Sequence, residues 1–232
     1  MKIKYDFHIH SALSPCADDD MTPANIVGVA KLNGLDMIAI ADHNAIKNVQ
    51  VAMEIGKYYE VEVVPAFELQ TSEDLHLLCL FSCFEDLQAF HKQIEFFQIK
   101  NKPEIYGNQF VIDEDDNVIE VEENLLLTSA KISSSEVPAL IEKHNGIAIP
   151  AHVDREANGM VAILGSVTDE YFAIELSNRA TANEIECYSK KYRLIVDSDA
   201  HTLEQIGSES ELELEECSAK ALISYLKKKI AK

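Results

Sequence analysis

The sequence predicts a mainly parallel α/β fold, and three observations predict it. Capped helix signals alternate with short β-rich apolar runs. Most of those runs end in a carboxylate or a histidine, the end at which parallel α/β proteins place their sites. One junction is too short to hold a helix, which sets a single antiparallel return into the series.

The elements follow in order. In "KIKYDFHIH" successive side chains of a strand point to opposite faces, so Asp6, His8 and His10 share one face while Ile3, Tyr5, Phe7 and Ile9 share the other. Next comes "TPANIVGVAKLNG", with Thr22 as N-cap, Pro23 at the first helical position and Gly34 at the end. The apolar run "MIAIA" stops at Asp42 and His43, and "VEVVPAFE" stops at Glu68. The run "DLHLLCLF" then starts at His76 after too few residues for a helix, so His76 should lie at the same end as Glu68. The capped helix "SSSEVPALIEKHNG" leads into "IAIPAH", ending at His152; "FAIELSNR" and "RLIVDSDAH" follow, the last ending at Asp199 and His201. Between them, "NKPEIYGNQFVIDEDDNVIEVEENLLLTSAKIS" lacks this grammar. Its "QFVID" and "NVIEVEE" around "EDDN" read as a β-hairpin, an insertion at about 101–133 in one domain spanning 1–232.

Bulk properties narrow the function. With 232 residues, 47% of them hydrophobic, the chain can bury a full core. No apolar run is long enough to cross a bilayer, and the amino terminus lacks the apolar segment of a signal peptide. Five cysteines without C-x-x-C spacing fit reduced thiols and a cytoplasmic location. The formal net charge of −20 comes without a basic patch apart from "YLKKKIAK", which reads as a helix end. That balance counts against a partner such as long nucleic acid, which is gripped through its phosphates.

Six of the eight histidines, His8, His10, His43, His76, His152 and His201, gather with Glu68 and Asp199 at one end of the sheet. Imidazole nitrogen with carboxylate oxygen suits zinc, manganese or iron, and eight ligands exceed the needs of one ion, so one carboxylate should bridge two. His91 and His144 read as helix surface and helix end. Asp6 and Asp42, each beside a ligand histidine, could accept its second ring N–H.

"DFHIH", "IADHN", "FELQT", "LHLLCLF", "PAHVD" and "DSDAH" occur in the order of the motifs of the PHP (polymerase and histidinol phosphatase) family, and the chain resembles that family from Asp6 to His201. Val153, where a proline often follows the histidine, and Ser198, amid what is commonly Gly-Ser-Asp, depart from its pattern without removing a ligand. The resemblance implies a distorted (β/α)7 barrel, TIM-like, with a trinuclear divalent-metal site. Carried over by position, His8, His10, Glu68 and Asp199 would hold the first ion, and Glu68, His76 and His152 the second, with Glu68 bridging. His43 and His201 would hold the third, completed from the loop "SPCADDDMTP", where distance from Pro23 favours Asp18 over Asp19 and Asp20; Cys16 is a weaker candidate. The resemblance further implies a metal-dependent phosphoesterase with Glu68, Asp199 and His201 at the reaction centre. Lys47, Arg155 and Arg179, which follow strand ends, are candidate contacts for a small phosphorylated substrate. The alternatives are an exonuclease or oligonucleotide phosphodiesterase, and a non-catalytic metal-binding module. A lysine-bridged amidohydrolase is disfavoured because Glu68 stands where its lysine would.

Overall fold

The computed structural model describes residues 1–207 and 210–230. Strand β1 (Lys2–Ile9) leads to α1 (Pro23–Leu32), whose N-cap Thr22 accepts a hydrogen bond from the Asn25 N–H. Then come β2 (Met37–Ile40), α2 (Val49–Tyr59), β3 (Glu62–Val64), β4 (Ala66–Gln70), β5 (His76–Phe81) and α3 (Phe84–His91). A short α4 (Pro103–Tyr106) precedes the antiparallel pair β6 (Phe110–Ile112) and β7 (Val118–Val121). Its turn is built on Asp113, which accepts hydrogen bonds from the Asp115 and Asn117 N–H groups. The chain continues through α5 (Val137–Glu142), β8 (Gly146–Pro150), α6 (Met160–Leu164), β9 (Ala173–Ser177), α7 (Ala182–Ser189), β10 (Arg193–Asp197), β11 (Glu211–Glu213) and α8 (Ala219–Leu226).

The α/β class is as read from the sequence, but the strands form four separate ladders and not a closed barrel: β11-β1-β2-β3, β9-β10, β4-β5-β8 and β6-β7. The mainly parallel sheet is likewise corrected. β1, β2 and β3 run parallel, as do β9 and β10, yet β5 is antiparallel to both β4 and β8. Reversing β5 by the short turn makes it oppose both neighbours, so one return costs two parallel pairings.

Single bridges join the ladders where the sequence puts its polar residues. Ile9 pairs with Ala200, and His43 pairs with Glu68. The His10 N–H donates to the Ala200 carbonyl at 2.9 Å, the Asn44 N–H to the Glu68 carbonyl at 2.8 Å, and the Val153 N–H to the Glu175 carbonyl at 3.0 Å. The strand ends are therefore gathered although the ladders between them are not continuous.

Ile3, Tyr5, Phe7, Leu78, Leu80, Ile149 and Ile195 form one buried cluster with Leu222 and Leu226 of α8. A second, with Phe67, Leu77, Phe81, Phe90 and Ile174, packs β4, β5 and β9 against α3, and a third, with Ile9, Ile26, Ile38 and Ile55, lies under α1 and α2. Among the described residues, no helix is long and apolar enough to cross a membrane. All five cysteines are free thiols.

Candidate metal centre

The site is built around Glu68. It sits in the middle of β4 with no exposed surface. Five imidazoles face its carboxylate: His43 and His76 at 2.8 Å, both through Nδ1, His8 and His152 at 3.3 Å through Nε2, and His10 at 3.6 Å through Nε2. They arrive on four different supports. β1 delivers His8 and His10, the residues after β2 deliver His43, β5 opens on His76, and His152 follows β8. The short return places Gln70 opposite His76 in the β4–β5 register, with Asp74 in the left-handed region at φ 64°, so Glu68 and His76 do converge at one end.

Asp199 and His201 follow β10. Asp199 Oδ1 lies 3.0 Å from His10 Nε2 and 3.4 Å from His8 Nε2, while Oδ2 pairs with Arg155. His201 Nδ1 is 2.8 Å from the Asp199 carbonyl. Two residues of the cluster itself hold positive φ: His152 at 31° and Asp199 at 52°. For an imidazole-bearing residue such backbone is uncommon, and strained positions of this kind concentrate at functional sites.

Three groups of side chains bring one ligand atom each to within 4.8 Å of one another: His8–His10–Glu68, His43–Glu68–His76 and His10–His43–His201. They share members, so they form one continuous cluster. Buried atoms without a hydrogen-bond partner include His8 Nε2, His43 Nδ1 and Glu68 Oε2, all turned toward its centre. A buried polar atom left unpaired is costly, and a cation at this point would satisfy all three. The nitrogen and oxygen donors fit a divalent transition ion.

The protein field is consistent with such a role. Burial alone would raise Glu68, but His76, His8 and His43 hold it well below the usual carboxylate range. Burial likewise works against Asp199, which His8 and His10 keep low. Burial would depress His8, yet Glu175, Glu68 and Asp199 carry it well above the ordinary imidazole value. Burial lowers His10, with His201 and His43 adding to the effect, and burial also lowers His43.

Eight of the nine expected ligands meet here, and Asp18 does not. Its side chain is exposed and outside the three groups; its backbone N–H instead donates to the His201 carbonyl at 2.9 Å. Asp19 accepts from the Asn108 amide, whereas Cys16 lines the cavity of about 380 Å³ above the cluster, together with His43, His76, His152, Arg155 and His201. Arg179 lines an adjoining cavity of about 480 Å³ that shares Arg155, Asp199 and His201. Lys47 is a correction. It lies 2.5 Å from Glu120 and 2.7 Å from Glu122 and fastens the hairpin, lining neither cavity. His91 Nε2 donates to the Asn44 carbonyl at 2.9 Å, and His144 contacts Gln93; both stay outside the cluster.

The orienting partners differ from expectation. Asp6 accepts from the Ser198 N–H and hydroxyl and from the Gly207 N–H, not from a histidine ring. Asp6 and His8 are two residues apart on one strand, roughly 7 Å along it, so a short aspartate reaches the next strand more easily than its neighbour. Asp42 accepts from the Ser11 and Ser14 hydroxyls, and Ser14 Oγ is 3.1 Å from His10 Nδ1. Sequence reasoning missed both Ser14 and Glu175, whose carboxylate lies 2.9 Å from His8 Nδ1. The signal for Glu175 was present, an acid inside the apolar run "FAIELS".

No family model matches the chain. An uncharacterized protein of Methanocaldococcus jannaschii is 35% identical over 79 residues, 31% of this chain and 46% of that protein. The fold is similar to a lesion-specific endonuclease from Pyrococcus furiosus, with TM-score 0.72 and 17% identity over 98% of this chain and 56% of that one. It matches equally, over 98% of this chain and 57% of the other, endonuclease Q in complex with a 27-mer duplex bearing an abasic lesion at the active site (TM-score 0.72, 17% identity). A two-domain protein from Bacteroides vulgatus containing a predicted PHP-like metal-dependent phosphoesterase aligns with TM-score 0.56 and 15% identity over 97% of this chain and 62% of that one. The chain spans about half the length of the archaeal protein and of the endonuclease. With its strand ends gathered around one buried glutamate, the chain has the fold of the PHP-like metal-dependent phosphoesterases, the family its ordered motifs resemble.

Proposed function

We propose that this chain is a metal-dependent hydrolase of phosphate esters that acts on small phosphorylated molecules. The observation that carries this reading is one buried carboxylate, Glu68, faced by five imidazoles at the floor of an open cavity. His8, His10, Glu68 and Asp199 would hold one divalent ion, and Glu68, His76 and His152 a second, with Glu68 shared. His43 and His201 would hold a third, with Asp18 able to join only if its loop turned inward. Zinc, manganese and iron all suit these donors. Divalent ions so held supply Lewis-acid polarisation of a phosphoryl group and a nucleophile usable at neutral pH.

The remaining work belongs to the chain. Arg155, at the rim beside Asp199, and Arg179, in the adjoining cavity, present guanidinium groups to an anionic substrate. Glu68 and Asp199, held deprotonated, keep their charge for the cations at any physiological pH. The net charge of −20 repels a long polyanion, while locally bound cations attract a single phosphate. We read the gathered strands as a distorted, open (β/α)7 barrel in one domain with residues 101–133 inserted, and the free thiols as suited to the cytoplasm.

A second reading is a nuclease, favoured by the fold likeness to endonuclease Q over nearly the whole of this chain. The deciding experiment is a phosphate-release and cleavage screen of the chain stripped and reloaded separately with manganese, zinc or iron. Phosphomonoesters, nucleotides, dinucleotides, long single-stranded DNA and a duplex with an abasic site are compared. The expected result is fastest turnover of a small phosphate ester. Faster cleavage of either DNA would establish the nuclease reading, and no turnover of any substrate would leave a metal-binding module.

A further inference from the structure

His8, in β1, and His10, just past its end, are backed by unequal supports. His8 Nδ1 lies 2.9 and 3.0 Å from the two oxygens of Glu175, and neither side chain has exposed surface. His10 Nδ1 meets a hydroxyl instead, Ser14 Oγ at 3.1 Å, and that hydroxyl donates to Asp42 at 2.7 Å. At Nδ1, a carboxylate therefore acts on His8 directly and on His10 only through a hydroxyl. His201 rests on a backbone carbonyl, and its side chain is 26% exposed.

Glu175 is otherwise hard to account for. It lies in mid-β9 between Ile174 and Leu176, both fully buried, where an aliphatic side chain would be the default. Burying an acid is expensive unless it is paired. Its carboxylate faces His8 of the proposed metal centre, and the bond fixes which ring nitrogen of His8 carries the proton. A carboxylate behind a ligand histidine sets the tautomer and ring orientation and raises the donor strength of the opposite nitrogen. That opposite nitrogen, Nε2, is the one facing Glu68 and Asp199 and lacking a hydrogen-bond partner.

We propose that Glu175 is a positioning residue that makes the His8–His10–Glu68 group the tightest cation site of the cluster, the first to fill and the last to empty. This rests on the metal-centre reading above. The group combines the directly supported histidine, the relayed one and the central carboxylate. The His10–His43–His201 group has no carboxylate.

The test is a stepwise zinc titration of the full, metal-stripped chain against a chromophoric chelator, for the parent, Glu175→Ala and Glu175→Gln. Glu175→Ala should weaken the tightest step by about 10–100-fold and leave the later steps in place, and Glu175→Gln, which keeps an acceptor oxygen, should fall between it and the parent. Spectra of ¹⁵N-labelled histidine in the zinc-loaded chain should show His8 protonated at Nδ1 in the parent and in Glu175→Gln. If Glu175→Ala does not fold, the near-isosteric Gln variant carries the test alone. Equal tightest-step affinity in parent and variants would overturn the role of Glu175 while leaving the metal centre intact. Uniform weakening of every step would reduce Glu175 to a structural part and also overturn the proposal. A parent that binds no zinc would sink the metal-centre reading and this inference with it.

Discussion

Replacing Glu68 by glutamine should abolish most of the hydrolysis, because the substitution keeps the shape of the cluster and removes its central charge. Two of the three cation-competent groups contain Glu68, and imidazole nitrogens stand 2.8 Å from each of its oxygens. A cation held in either group would be within a few ångströms of the carboxylate. One unit-charge interaction at 4 Å and an effective dielectric constant of 20 is worth about 4 kcal/mol. A 100-fold rate loss requires only about 2.7 kcal/mol. A loss of at least about 100-fold is therefore expected from a single cation, before the second is counted. The assay is phosphate release by parent and Glu68→Gln at saturating cation, with His144→Ala as the control. His144 lies outside the cluster, its ring against the Gln93 amide, and its variant should retain parental activity. Parental activity in Glu68→Gln would refute the central role of this carboxylate. Loss in both variants would mean that folding had been damaged.

Two further outcomes follow from the same cluster. Elemental analysis after gentle purification under metal-replete conditions should find more than one transition ion per chain, since the groups share members but not all of them; one ion or fewer would contradict the multinuclear reading. Cation loading should also release protons and weaken as the pH falls. Burial opposes the charge on His8 and on His152, but Glu175, Glu68 and Asp199 raise the first and Glu68 raises the second, so both hold protons above the usual imidazole range until a cation displaces them. Glu68 and Asp199, held low, and His10 and His43, lowered by burial, contribute none. Binding heats measured in buffers of different ionisation enthalpy would show this release, and buffer-independent heats would exclude it.

The cluster residues were legible in the sequence because each is fixed by its place along a strand. His8 and His10 follow from alternation, His43 and His152 from the points at which apolar runs stop, and His76 from a junction too short for a helix. Asp18 was not, because its choice rested on distance along a loop; that loop docks by its backbone on the His201 carbonyl, and the aspartate side chain turns to solvent. The ladder breaks were also hidden, since strand existence follows from periodicity whereas closure depends on register between strands far apart in sequence. The same limit explains the orienting residues. Sequence order pairs Asp6 and Asp42 with their neighbouring histidine rings, but Asp6 reaches Ser198 and Gly207, and Asp42 reaches His10 through Ser14. Glu175 meets His8 across 167 positions of sequence. Its burial in "FAIELS" could be read as a demand for a partner, while the partner itself depends on which strand ends β9 is brought beside. An acid in an otherwise apolar strand of such a chain is therefore a reason to ask which ligand it supports, and only the three-dimensional neighbourhood can answer.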